Sequence, residues 1–189
     1  MSKKCLFILA AVLLSAAISC KKTEKKTDPV KKEITEVIEV TTLKFALEPK
    51  SESTAAGEVT FSEENGKVTM TATLTGLTEG EHAIHIHEKA DCSSPDGKST
   101  GGHWNPTFVP HGKWGAAEGY HKGDIGNFTA DANGNGSITM TTDEWCIGCG
   151  DETKDILGRA IIVHQGVDDY VTQPTGAAGG RVSCGGIIQ

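Results

Sequence analysis

The sequence predicts an all-β domain of eight short antiparallel strands, packed as a sandwich or flattened barrel. Three observations point there. Val68, Met70, Ala72 and Leu74 alternate with Thr69, Thr71, Thr73 and Thr75, the period-two pattern of a half-buried strand. Two turn-rich segments, Glu64-Asn65-Gly66 and Asp131-Ala-Asn-Gly-Asn-Gly136, separate apolar runs as hairpin loops do. No segment carries the spacing of an amphipathic helix. Strands of this kind bury one face each, so they need a second sheet or closure on themselves.

The elements follow in order. Leu43, Phe45 and Leu47 alternate along the first strand, and Val59 and Phe61 along the second. The valine–threonine run is the third, and His82 to His87 lie on the fourth. Phe128 to Ala130 and Ile138 to Met140 flank the second hairpin, and Leu157 to His164 and Arg181 to Ile188 complete the set. Two connections are long: Glu88 to about Gly123, and Gln165 to Gly180. Loops beyond roughly 12–15 residues are usually functional or disordered. The first holds His103, His111, His121 and Cys92, so metal and disulfide can order it where a core does not.

The 189 residues suffice for one domain. Lys3 and Lys4 precede an apolar run from Cys5 to Ile18, too short to span a bilayer comfortably and laid out as a secretory signal. Ala17-Ile-Ser-Cys20 resembles a bacterial lipoprotein cleavage and lipidation box, which more often has leucine where Ala17 stands. Residues 1–19 are therefore read as a lipoprotein-type signal peptide, Cys20 as the lipidated residue, 20–40 as a charged flexible tether and 41–189 as the domain. The expected location is outside the cytoplasm, periplasmic or at the cell surface, anchored to a membrane.

Residues 41–189 carry ten Lys and Arg against twenty Asp and Glu. That balance argues against nucleic acid and anionic lipid as partners. Setting aside Cys5 and Cys20 leaves Cys92, Cys146, Cys149 and Cys184, which allow three full pairings. An exported chain can keep disulfides.

Six of the seven histidines fall between Glu81 and Asp124. His85 and His87 share one strand face while Ile84 and Ile86 take the other. Two imidazoles on a rigid strand, followed by His103, His111, His121 and Asp124 in a long loop and His164 near the end of Ala160-Ile-Ile-Val163, describe a metal site. His82 has the opposite parity, so it is expected to face inward as a hydrogen-bonded brace behind the histidine strand.

These residues resemble the copper–zinc superoxide dismutase family. The similarity runs in order through Gly76-Leu-Thr-Glu-Gly80, His82-Ala-Ile-His-Ile-His-Glu88, Gly102-His-Trp-Asn-Pro106, His121-Lys-Gly-Asp-Ile-Gly-Asn127, Val163-His164 with Asp168-Asp169, and Gly179-Gly-Arg-Val-Ser-Cys184-Gly. It implies a Greek-key, immunoglobulin-like barrel with two long functional loops. It implies dismutation of superoxide to oxygen and hydrogen peroxide, with one copper and one zinc per subunit. By position, His85, His87, His103 and His164 match the copper ligands, and His103, His111, His121 and Asp124 the zinc ligands. His103 is in both sets because the family's ring bridges the two metals, which makes it catalytic. Arg181 matches the guanidinium that docks the anion, Asp168 the carboxylate linking histidines of the two sites, and Thr175 a residue narrowing the channel. The family favours a Cys92–Cys184 disulfide, which leaves Cys146 and Cys149 as a local pair with a structural disulfide as the expectation.

The chain departs from the family in places. Tyr170 to Gly180 is short and uncharged where relatives carry charged residues thought to guide the substrate. Attraction of the anion must then come from positive charge beside the metal. Ala90 and Ala177 replace residues common in relatives, both in loops. A non-enzymatic copper-binding or delivery lipoprotein on the same fold would be expected to lose the shared histidine, the arginine or the zinc set, and none is lost. A homodimer is compatible with the resemblance, and the sequence does not select it.

Overall fold

A computed structural model describes residues 39–189. The signal peptide, Cys20 and nearly all of the tether lie outside the described residues. Eight strands follow one another: β1 (Thr41–Pro49), β2 (Ala56–Glu64), β3 (Lys67–Thr75), β4 (Gly80–His87), β5 (Gly126–Ala130), β6 (Gly136–Thr142), β7 (Ala160–His164) and β8 (Arg181–Gly186). The described residues add one turn of 3-10 helix, Lys98–Thr100, and no helix among them is long and apolar enough to cross a membrane.

The strands close into a barrel in the order β1-β2-β3-β6-β5-β4-β7-β8, every pairing antiparallel. The β2–β3 hairpin turns at Asn65-Gly66, both at positive φ, the geometry that favours this dipeptide in two-residue loops. The alternation read from the third strand is real. Val68, Met70, Ala72 and Leu74 are fully buried, while Thr69 and Thr71 face Thr141 and Thr139 across the ladder with hydroxyl contacts of 2.9 and 3.2 Å.

Two strand ends differ from expectation. Gly158 adopts φ +79 and turns the chain, so regular pairing begins at Ala160 rather than Leu157. At the other end the ladder stops at Gly186, because Ile187 instead exchanges bonds with Arg159 and Gly158.

β4 and β7 position the histidines. Ile84 and Ile86 on β4, and Ile161 and Val163 on β7, enter the main core with Phe61, Trp145 and Leu47. Their alternate residues are equally buried, on the outer face: His85, His87, Ile162 and His164. A strand of an antiparallel barrel buried on both faces needs a second layer outside the wall, and the long loops supply it. Disulfides join Cys92 to Cys184 (Cα–Cα 5.9 Å) and Cys146 to Cys149 (6.0 Å). The first fixes the outer loop to β8.

Candidate metal centre

The loop is stitched to β4 by main-chain bonds. Trp104 N–H donates to the Ile86 carbonyl at 2.8 Å, Ile86 N–H to Gly123 at 2.9 Å, and Gly123 N–H to Trp104 at 3.0 Å. His87 and His103 form an isolated antiparallel bridge. A Cβ on Gly123 would lie 2.2 Å from the Ile86 carbonyl oxygen, so only glycine lets the loop approach this closely. His103 is thereby brought beside the His85 ring, with centroids 3.9 Å apart. On the other side, a bulge between Val163 and His164 sets His164 opposite Arg181. Bulges next to functional sites commonly re-aim a side chain in this way.

Two groups of donors result. One atom each from His85, His87, His103 and His164 lies within 4.8 Å of the others, and so do one each from His103, His111, His121 and Asp124. All seven residues are buried, and the groups share His103. Buried polar atoms are nearly always hydrogen-bonded, yet here His85 Nδ1, His87 Nε2, His103 Nε2 and His164 Nε2 have no partner. His111 Nδ1 and His121 Nδ1 are also unbonded, although they stand 2.9 and 3.3 Å from Asp124 oxygens. Close but misaligned donors are what convergence on a common ion produces. The residues present therefore fit two metal ions, one with four imidazole nitrogens and one with three imidazoles and a carboxylate, the sets that suit copper and zinc respectively.

In five of the six rings the opposite nitrogen is occupied, which fixes the tautomers and aims the free lone pairs. His85 Nε2–H donates to Asp168 Oδ2 at 2.9 Å and His111 Nε2–H to Asp168 Oδ1 at 2.8 Å. His87 Nδ1–H donates to the Gly101 carbonyl at 3.0 Å. His103 Nδ1 lies 2.9 Å from Asp124 Oδ1. His164 Nδ1 has a longer contact, 3.4 Å, to the Gly179 carbonyl.

Electrostatics keep His85, His87, His103 and His164 neutral, whereas at His111 burial is outweighed by Asp124 and Asp168, which raise its pKa to about 9. Burial, followed by the charges of neighbouring histidines and Arg181, holds the pKa of His87 and His164 well below 6.5. His103 is pushed down to about 4, chiefly by burial, against the pull of Asp124. Burial works against the Asp124 carboxylate, but the close ring nitrogens of His103, His111 and His121 outweigh it and hold its pKa far below the usual range. Asp168 is likewise held low, bonds from His111 and His85 overcoming its burial. Neutral imidazoles and ionised carboxylates are the forms that bind metal.

The structure sets the remaining expected residues around this pair. Asp168 is buried and spans the two groups. Arg181 is half-buried and donates to the Gly97 and Gly101 carbonyls, both at 2.8 Å, and to Thr100 Oγ1 at 3.0 Å. His82 is buried; its Nδ1–H donates to the His164 carbonyl at 2.9 Å and its Nε2 faces Thr78. Thr175 shares a depression of about 250 Å³ with His103 and His121, and Arg181 is not among the residues lining it. Cys146 and Cys149, with Asp155 nearby, stand apart as a third potential cluster, but the two sulfurs are bonded to each other.

Sequence reasoning missed the seat of Arg181 (Gly97, Thr100 and Gly101) and two side-chain amides. Asn127 pairs with the Asp168 main chain, and Gln173 with that of His111. Asn127 stands inside the quoted motif ending at that residue, so its position was a signal. Gln173 had none, because its partner lies 62 residues away.

An antiparallel eight-stranded barrel with two donor groups fused through one histidine has the donor arrangement of a dinuclear metalloprotein. The family described as Copper/zinc superoxide dismutase (SODC) matches residues 55–187. The Cu-Zn superoxide dismutase of Caulobacter vibrioides is 39% identical over 134 residues, covering 69% of this chain and 76% of that protein. Among solved structures, a SOD-like protein from Bacillus subtilis superposes with TM-score 0.67 at 28% identity, covering 77% of this chain and 97% of its own. The clock protein EA4 gives TM-score 0.66 at 37% identity, covering 78% and 94%. The chain belongs to the copper/zinc superoxide dismutase family. Copper and zinc are the cofactors that membership implies.

Proposed function

We propose that this protein converts superoxide to oxygen and hydrogen peroxide, with copper held by His85, His87, His103 and His164 and zinc by His103, His111, His121 and Asp124. The observation that carries the reading is the convergence of four unpartnered, buried imidazole nitrogens beside Arg181. Copper, when bound, would supply the one-electron redox change, and zinc would supply a fixed positive charge.

The chain's own groups do the rest. His85, His87 and His164 bind as neutral rings, because burial has already removed their competing protons. Arg181 pairs with His164 across the ladder, and its charge acts on His87 and His164 in an otherwise acidic domain. Its guanidinium is oriented by two carbonyls and a hydroxyl, and it docks a small anion by charge-assisted hydrogen bonds. His103 presents Nε2 toward the copper-side group and Nδ1 toward Asp124, so it can hold a proton at Nε2 while remaining fixed through Nδ1. Asp168 keeps His85 and His111 in register, and His82 braces the His164 main chain from inside the barrel.

Purified protein from copper- and zinc-replete cells should carry one of each metal per chain and consume superoxide catalytically. Only one kind of metal, or both without that activity, would overturn the reading. The copper-delivery alternative is not favoured, because the zinc-side donors and Arg181 are all present.

Export and anchoring complete the proposal. A signal peptide over 1–19, lipid on Cys20 and a tether over 20–40 would hold the 41–189 domain at a membrane outside the cytoplasm. The two disulfides support export. Cys20→Ser should shift the protein from membrane to soluble fractions, and unchanged sedimentation with membranes would refute the anchor.

A further inference from the structure

Three carboxamide side chains act as clips in the irregular parts of the chain. Asn127 accepts the Asp168 N–H at 2.8 Å and donates to the Asp168 carbonyl at 2.9 Å. Asn105 does the same for Val109, at 3.2 and 2.9 Å. Gln173 does it for His111: the His111 N–H donates to Oε1 and Nε2–H donates to the His111 carbonyl, both at 2.9 Å. Each clip reproduces the paired bonds that an adjacent strand would make, and so satisfies loop backbone that has no strand neighbour.

Gln173 differs in its target. Its partner's ring belongs to the donor group of His103, His111, His121 and Asp124. The same loop holds that ring at its other end, through Asp168 Oδ1 on His111 Nε2. It also packs against the junction, where Gly176 has φ +66 and a Cβ would lie 1.8 Å from Asp168 Oδ1 and 2.7 Å from His111 Nε2. The Gly176 N–H donates to the Thr172 carbonyl at 2.7 Å, and the Asp169 N–H to the Gly176 carbonyl at 2.9 Å. Asp168, Gln173 and Gly176 thus enclose one histidine from a single compact turn. A ring tied only at Nε2 can still swing as its backbone shifts. Tied at Nε2 and at both main-chain polar groups, it keeps one direction for its Nδ1 lone pair.

We propose that Gln173 is a positioning residue for the zinc-side group, acting through the His111 main chain. The 165–180 loop, uncharged from Tyr170 to Gly180, then contributes metal-site geometry where it lacks charge to guide an anion. The inference rests on the reading that this group takes zinc.

The test uses cobalt(II) as a spectroscopic stand-in for zinc, with zinc affinity measured by competition against a chromophoric chelator. Gln173→Met keeps side-chain length and removes both bonds. It should weaken zinc roughly 10–100-fold, the usual effect of losing an outer partner of a ligand, and alter the cobalt visible bands. Gln173→Glu keeps the acceptor for the His111 N–H and loses the donor, so its loss should be smaller. Thr172→Val breaks a bond from the Thr172 hydroxyl to Asp169 in the same turn without touching His111, and should stay within about twofold by this argument. The copper(II) spectrum of the other group should not change. Equal zinc affinity in Gln173→Met and the wild type overturns the inference alone, as does a Thr172→Val loss as large as that of Gln173→Met. Wild-type protein that takes up no cobalt at this group overturns the zinc reading, and this inference with it.

Discussion

Arg181 and His87 donate to the same oxygen. The Gly101 carbonyl receives Arg181 Nη2 at 2.8 Å and His87 Nδ1 at 3.0 Å. The arginine proposed to dock the anion and a ring proposed to bind copper are therefore set by one peptide group. Arg181→Ala should lower superoxide turnover by roughly an order of magnitude or more, the worth of a charge-assisted hydrogen bond. Copper content should remain near one per chain. Metal analysis beside stopped-flow superoxide decay checks both, and copper loss would show that Arg181 holds the site together. Arg181→Lys should recover only part of the rate, because an ammonium cannot reproduce the fork that meets two carbonyls and Thr100.

His103 contributes an atom to each donor group, whereas His121 contributes to one. His103→Ala should therefore reduce copper and zinc occupancy together, and His121→Ala should reduce zinc first. Elemental analysis after dialysis against graded chelator distinguishes the two patterns. Parallel losses in both variants would argue against a shared ring.

Asp168 accepts from His85 and His111 with no exposure to solvent. Asp168→Asn keeps its size and removes the charge, and an amide can accept on only one of its two arms. Affinity for at least one metal should fall roughly 10–100-fold. Asp169→Asn, one residue along and exposed, should leave both metals bound.

The two disulfides close very different loops. Cys92–Cys184 spans 92 residues and Cys146–Cys149 spans 3. In the chain-entropy picture the first contributes about 4–5 kcal/mol and the second about 2 kcal/mol. Paired serine substitutions followed by denaturant unfolding should rank them in that order.

Tyr120 donates to Glu144 Oε1 at 2.6 Å, and Glu144 also pairs with Lys122. The bond to Glu144, with burial and the Glu144 charge, raises the Tyr120 pKa from 10 to about 12. A folded-state pKa above the unfolded value means that the stabilisation is complete below pH 10 and is lost as pH rises through about 12. Tyr170, the other tyrosine, is also raised, burial first. Phenolate absorbance should stay low at pH 10 in the folded protein, and Glu144→Gln should move one tyrosine back toward 10.

Much of this was legible in the sequence. The valine–threonine alternation specified β3, and parity separated His85 and His87 from Ile84, Ile86 and His82. What stayed hidden depends on contacts between distant backbones. The bulge that pairs His164 with Arg181 skips one residue in the ladder, and no side-chain pattern marks it. The Arg181 seat is made of carbonyls, which every residue carries, so Gly97 and Gly101 looked like ordinary loop glycines. Gly158 delayed the strand read over Leu157–His164, because a backbone turn overrode the hydrophobicity of its first residues.

The seam that joins the first strand of the barrel to the last is short. β1 meets β8 in register only at Glu48 with Cys184 and Pro49 with Ser183, and Pro49 brings no N–H to that ladder. Cys184 is therefore both a rung of the seam and the anchor of the long-range disulfide. Under strongly reducing conditions this seam loses that anchor, and parting there would bare two unsatisfied rims. Exposed rims of that kind recruit strands from other molecules, so the onset of clumping in reduced protein should trace to this one gap.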